Sequence, residues 1–367
     1  MGYRKARFIW AGIGIGWTLL VCLLIQIFLF LKGWDAPQET LWGFLLILFM
    51  GQSIVEYVGG YALPNKHGQS LLNNPGQWMG QYLRGLLIYL IYYVFNGYML
   101  MLMAQTLGLG GAIGWFVIQM LILMGFRQYL ARGIHPFKTR FETNRGRPIF
   151  YMETEDRGFT GGISGIPGQE SIIFPAYWEK KFSSEVSDAL LAMRHGVLNT
   201  GGHGKGFFLI ILLHTALISL AMWVIPEPVG SLEWLIGSVS LYTLLMAFAS
   251  LGVLPSLNRR GVIEMDRWLY YKKVDADILR KAITESRRLQ NDISATGSPT
   301  SGVALLVHAA PKGHERFTSL QSQRPIKGMW YVFSDWAFLS WAGLSLMNRM
   351  FPGALGTPSR WIFLPGE

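Results

Sequence analysis

The sequence predicts an α-helical polytopic membrane protein, with six or seven transmembrane helices and a small α+β domain assembled from two separate polar segments. Three observations carry that expectation. Of 367 residues, 51% are hydrophobic and only 15% charged, against roughly a quarter charged in soluble domains. Six apolar stretches reach the ~20 residues that a helix needs to span a bilayer. The remaining charge is gathered largely into two polar segments, 132–205 and 255–328, on either side of an apolar hairpin.

The first span is Phe8–Leu31. Arg4, Lys5 and Arg7 precede it, but its apolar run is longer than a signal-peptide core and no small-x-small cleavage site follows before Lys32, so it reads as an anchor. Leu41–Ala62 is the second span, followed by a linker, Leu63–Arg84, rich in Asn, Gly and Gln. Gly85–Leu107 and Ala112–Leu130 are the third and fourth. Gly206–Ile225 and Leu232–Leu254 form the hairpin. Met329–Met350 is apolar but holds Asp335 and Asn348, so it reads as either a seventh span or an interfacial helix. The chain thus divides at 1–131, 132–205, 206–254, 255–328 and 329–367. Tryptophans 10, 17, 34, 42, 78, 223 and 234 fall mostly near span ends, where an interfacial aromatic belt is expected.

Net charge is +10, and its placement sets the orientation. The loops after the first, third and fifth spans hold one basic residue, Lys32, whereas Arg132, Lys138, Arg140, Arg145 and Arg147 follow the fourth and Arg259 and Arg260 the sixth. The positive-inside rule places the N-terminus and both polar segments in the cytoplasm, with the inner membrane of a bacterium as the expected location. Basic residues beside spans suit anionic lipid at that face, and no nucleic-acid partner is expected. The single cysteine, Cys22, lies within a span and excludes a disulfide within one chain.

In the first polar segment, Pro148–Glu153 and Gln169–Phe174 read as short strands, separated by a glycine-rich stretch, Gly158–Gly168, suited to a hairpin. Glu185–Leu198 has helical spacing, with Val186, Leu190, Met193 and Val197 on one face. In the second segment Val274–Ile293 is a charged helical pattern, ended by a Ser/Thr/Gly loop, Ser294–Gly302. Gly12 to Gly16 alternate glycine with isoleucine inside a span, where small residues allow close helix packing.

Three places in this order resemble the integral-membrane zinc metalloproteases of the CAAX-prenyl-protease and HtpX type. Ile172 to Ala192 is similar to that family's strand, turn and start of its HExxH helix. Asn258 to Arg267 resembles its ExxxD helix, and His308 to Phe317 its closing HP…ER motif. The resemblance implies a metalloprotease-like cytoplasmic domain. It also shows which residues stand at the catalytic positions. HExxH places two histidines one turn apart to bind zinc, with the glutamate as base. Here those positions hold Met193, Arg194 and Val197, and the third ligand's position holds Val262. A thioether is a poor zinc ligand, valine is none, and a guanidinium cannot serve as a base at neutral pH. The expectation is an inactive homologue without a cofactor, zinc included. Asp266 is expected to keep a structural role, capping or pairing with Arg194 or another neighbour.

Other residues carry weaker chemistry. His195, His203 and Glu264 lie near the former centre in sequence, but the two histidines are eight positions apart with Gly196, Gly201 and Gly202 between them, which is not a one-face ligand spacing. Glu56 and His214 are polar residues inside spans, where they are costly and mark either a helix–helix hydrogen bond or a function. The family's edge strand binds extended substrate, so Ser171, Ile172, Ile173 and Phe174 are candidates to hold a peptide by strand addition. The reading that follows is a non-catalytic membrane pseudoprotease, a scaffold, binding or regulatory subunit whose partners are other integral-membrane proteins or itself. The alternatives are a zinc metallopeptidase with displaced ligands and a transporter-like helix bundle.

Overall fold

The structure, a computed structural model, describes residues 3–32, 37–68, 74–134, 139–144, 146–153, 161–199, 202–226, 228–249, 254–289 and 313–320. In chain order these form α1 (Tyr3–Leu31), α2 (Gln38–Tyr57), a π-helical turn (Val58–Ala62), α3 (Leu63–Lys66), α4 (Pro75–Ile134), β1 (Thr139–Asn144), β2 (Arg147–Met152), β3 (Gly162–Ser164) and β4 (Ser171–Pro175). There follow α5 (Ala176–Lys181), α6 (Ser184–Asn199), α7 (Gly202–Val224), α8 (Leu232–Phe248), α9 (Leu254–Tyr271), α10 (Ala276–Leu289) and α11 (Gly313–Leu320). They fall into two compact units, one holding the described residues of 1–123 and 211–248, the other those of 124–210 and 249–320.

The first unit is helical and apolar. Four helical stretches, Gly12–Leu31, Gln38–Lys66, Pro75–Leu123 and His203–Val224, are long and apolar enough to cross a membrane, and Leu232–Phe248 is a shorter apolar helix. Six spans are expected from sequence and four stretches qualify here, and the difference lies partly in α4. Gly108 adopts φ 66° and ψ −162°, a combination that a Cβ would oppose. The Tyr92 hydroxyl bonds the Gln119 side chain 27 residues on, and the Phe95 and Trp115 rings lie 6.1 Å apart. In a straight helix 27 residues span about 40 Å. The chain therefore doubles back at Gly108, and the expected third and fourth spans are the two arms of one hairpin. The first arm also begins earlier than expected. Pro75 occupies its first turn and the Gly76 N–H donates to Asn74 Oδ1 at 2.8 Å, a proline-led start with an asparagine cap. The later part of the presumed linker is thus helix. Met329–Met350 lies outside the described residues.

Around α1, Val21, Ile25 and Leu29 pack with Leu41 of α2 and Ile236 of α8. Gln26 Nε2 donates to the Gly237 carbonyl at 2.8 Å, and the Trp17 indole donates to the Leu48 carbonyl at 3.2 Å. Gly51 lies directly under that indole, so close that a Cβ would stand 2.2 Å from it. Not every tryptophan belongs to an interfacial belt. Trp78 and Trp234 are buried, the first stacked on Tyr82 at 5.1 Å, the second donating to the Met222 carbonyl at 3.2 Å.

The second unit holds a four-stranded sheet in the order β1-β2-β4-β3. β1 and β2 pair antiparallel, joined by a tight turn at Gly146 (φ 75°). β2 and β4 are the two strands expected from sequence, yet they pair in parallel, Ile149 against Ile172. The glycine-rich stretch does not turn one directly into the other, because it contains β3, which itself pairs antiparallel with β4. The hairpin expected over Gly158–Gly168 is therefore replaced by a crossing into β3 and a turn through Gly165 and Gly168, both with positive φ. Every residue of β4 is buried, as suits a strand with neighbours on both edges.

That β3–β4 turn is fixed by charge. Arg147 and Glu170 form an ion pair at 2.9 Å, with their side chains 29% and 12% exposed, and His203 at the start of α7 bonds the Gly165 carbonyl at 3.3 Å. Burial pushes the Glu170 carboxyl upward, but hydrogen bonds from the backbone at Gly168 and Glu170, with Arg147 and His203, outweigh it and hold the group below its ordinary value. A lowered carboxyl adds stability above its unfolded value, about 4.3, and loses it as pH falls through the lower folded value. The thermal midpoint of the wild type should exceed that of Glu170→Gln at neutral pH, with the gap closing only below pH ~4. A gap that is constant from pH 7 to 3 would contradict this assignment.

Candidate functional site

The expected catalytic positions lie on α6 and α9, and the two helices pack together within the second unit. The spacing anticipated over 185–198 is that of α6, whose Val186, Leu190, Met193 and Val197 are all buried. Contact with α9 on one side and α10 on another also buries the residues between them, including Arg194 and His195. The approach to α9 is close at Gly196, where a Cβ would stand 3.3 Å from the Trp268 ring and 3.5 Å from Met265 Cγ.

Met193 and Val197, one turn apart, are 2% and 0% exposed, and Val262 and Asp266, one turn apart on α9, are 1% and 0%. Zinc takes imidazole nitrogen, thiolate sulfur or carboxylate oxygen. A thioether and two hydrocarbon side chains supply none of these, so the residues at the ligand positions do not fit a zinc ion. Arg194 stands where the base would be, 3% exposed. A guanidinium offers hydrogen-bond donors and no acceptor, so it does not replace the carboxylate as base.

The polar group that does meet this region comes from α11. Arg316 grips Asp266 with two parallel bonds, Nε to Oδ2 and Nη2 to Oδ1, both 2.7 Å. The same Nη2 lies 4.0 Å from the Met193 sulfur. The pair is nearly sealed from solvent, with side chains 5% and 1% exposed. A forked arginine–carboxylate contact is among the strongest hydrogen-bonded pairs. It joins α11 to α9 and touches α6. Asp266 is therefore paired, and the neighbour that holds it is Arg316. The closing motif contains the partner, fifty residues beyond Asp266, and sequence spacing alone does not reveal that the two meet.

The remaining candidates are held elsewhere. Glu264 pairs with Arg267 at 3.0 Å on the same helix, His203 is engaged at the β3–β4 turn, and His195 is buried in α6. Among the described residues, no three His, Cys, Asp or Glu side chains come together to hold a metal ion. In the first unit, Gln52 Nε2 donates to Glu56 Oε1 at 3.0 Å, and Glu56 is fully buried. His214 bonds the Tyr242 hydroxyl, and Phe116 stands edge-on to that tyrosine at 5.4 Å. The first bond lies within α2, four residues apart, whereas the second joins α7 to α8, as helix–helix hydrogen bonds join membrane spans. The strand-addition expectation for Ser171–Phe174 is corrected at its centre: β4 pairs with β2 over residues 172–175 and with β3 over 171–173, so Ile172 and Ile173 have both edges occupied by this chain's own strands.

Among solved structures, the crystal structure of Ste24p from S. mikatae shares the fold of this chain, with a TM-score of 0.60, covering 83% of this chain and 80% of that one at 14% identity. Ste24p is a zinc metalloprotease of the CAAX-prenyl-protease type, and at this identity the likeness is one of fold. No protein-family model matches the sequence, nor does any curated protein.

Proposed function

We propose that this chain is a membrane pseudoprotease: a Ste24p-like fold that serves as a scaffold, binding or regulatory subunit among integral-membrane proteins and does not cleave peptides. One observation carries the reading. The buried face of α6 meets α9 with Met193, Val197 and Val262 at the ligand positions, and Arg194 takes the place of the base. Asp266, the carboxylate one turn from Val262, is engaged by the Arg316 guanidinium. Each substitution removes a step that water-activating zinc chemistry requires, and together they leave packing and ion pairing.

Metal content and stability test this directly. Protein purified from its native membrane in mild detergent should carry well under one zinc per chain, and a strong chelator should leave its thermal midpoint unchanged, because no folding free energy comes from metal binding. Stoichiometric zinc, or a chelator-induced fall in midpoint, would overturn the reading. The same preparation should retain other membrane proteins or further copies of the chain, and a protein that runs alone would count against a subunit role.

A further inference from the structure

The outer edge of the sheet carries an inference that does not depend on catalysis. β1 is paired on one side only among the described residues, by β2. Natural edge strands are commonly protected by charged side chains, lysine above all, or by proline, a bulge, shortness or a covering element. β1 runs six residues in unbroken register with β2, and Thr139–Asn144 contains no lysine, proline or glycine. Phe141 projects from it 59% exposed, 5.3 Å from the Phe150 ring on β2. On the opposite face, Arg140 and Glu142 are 56% and 48% exposed and pair with each other at 2.9 Å. Arg140 is further fixed by Glu179 at 2.6 Å and lies 4.4 Å over the Tyr151 ring.

The order Thr139, Arg140, Phe141, Glu142, Thr143 is complementary to itself when read in reverse. Laid antiparallel on a second copy with the two-fold axis at Phe141, threonine falls opposite threonine, arginine opposite glutamate, and phenylalanine opposite phenylalanine. Each is a favourable cross-strand pair, whereas a shift by two residues would set unlike partners against one another. A two-fold interface must be self-complementary in this way. We propose that β1 is the dimerisation edge of this protein, pairing antiparallel with β1 of a second copy about Phe141. The pairing would extend the sheet through both copies, line up Phe150, Phe141 and their counterparts in one aromatic row, and interleave two arginines with two glutamates on the other face.

Cysteine cross-linking in the membrane tests both the pairing and its register. Whether Phe141 falls at a hydrogen-bonded or a non-hydrogen-bonded position, its Cα would lie roughly 5 Å from its counterpart, within reach of a disulfide. In a Cys22→Ala background, Phe141→Cys should give a disulfide-linked dimer on mild oxidation. Thr139→Cys or Thr143→Cys alone should cross-link about tenfold less, since each would lie roughly 14 Å along the strand from its own counterpart. Co-expressing those two variants should restore the cross-link. Arg140→Glu should reduce the dimer seen by mass photometry, and Arg140→Glu with Glu142→Arg should recover it, which separates register from misfolding. Absence of a Phe141→Cys dimer, equal cross-linking at all three positions, or capture of a different protein at Phe141→Cys would overturn the proposal. None of these outcomes bears on zinc content, so this inference and the pseudoprotease reading fail separately.

Discussion

Arg316→Ala should lower the stability of the second unit by about 3–5 kcal/mol, the usual effect of removing one partner of a buried ion pair. The cause is the carboxylate left behind. Asp266 is fully buried in α9 and takes two bonds from one guanidinium, so Arg316→Ala removes two charge-assisted bonds from a carboxylate closed off from water. Asp266→Ala should be comparably damaging, because it leaves the guanidinium 4.0 Å from a thioether. Replacing both with apolar residues, Asp266→Leu and Arg316→Met, should cost much less than either single change, since burying two charges is itself expensive and hydrocarbon packing can substitute. Thermal midpoints in detergent, with limited proteolysis of the second unit, would compare the three. Single losses near 0.5 kcal/mol, of the kind seen for surface pairs, would show that the pair is open to water.

Trp178→Ala should cost a similar ~3–5 kcal/mol by leaving a large cavity. Trp178 is 1% exposed and meets Phe174 at 5.3 Å and Phe182 at 5.6 Å, with Tyr177 at 6.3 Å. These rings close the passage from β4 through α5 into α6, so they set where α6 begins relative to the sheet. Trp178→Phe should retain much of the packing and lose less. If alanine and phenylalanine variants unfolded at the wild-type midpoint, α6 would have to be positioned by α9 and α10 alone.

The helical part of this fold is written into the sequence because membrane spans need long apolar runs and little else. α6 was equally legible, its buried face recurring at Val186, Leu190, Met193 and Val197. Pairing was not. β1 reads as Thr-Arg-Phe-Glu-Thr-Asn, without the apolar alternation that marks a half-buried strand, because neither of its faces is well buried. The parallel contact of β2 with β4 depends on a connection whose glycines read as a simple turn, while three of its residues form β3. Gly108 sits in a glycine-rich stretch that sequence does mark as a break, and its backbone torsions account for the reversal. At the site, the residues that fail as metal ligands could be named from position alone. The residue that meets Asp266 could not be, since contact between α9 and α11 is a property of packing and not of spacing.

The Asp266–Arg316 pair also sets an order of events during synthesis. Asp266 leaves the ribosome fifty residues before its partner, an interval of roughly 3–10 s at ordinary translation rates. Through that interval α6 and α9 are both made, while the guanidinium that bonds Asp266 is not. A message truncated between codons 290 and 312 would encode α1 to α10 without α11, and so without the guanidinium that bonds Asp266. The second unit of such a chain would lack the same two bonds that Arg316→Ala removes.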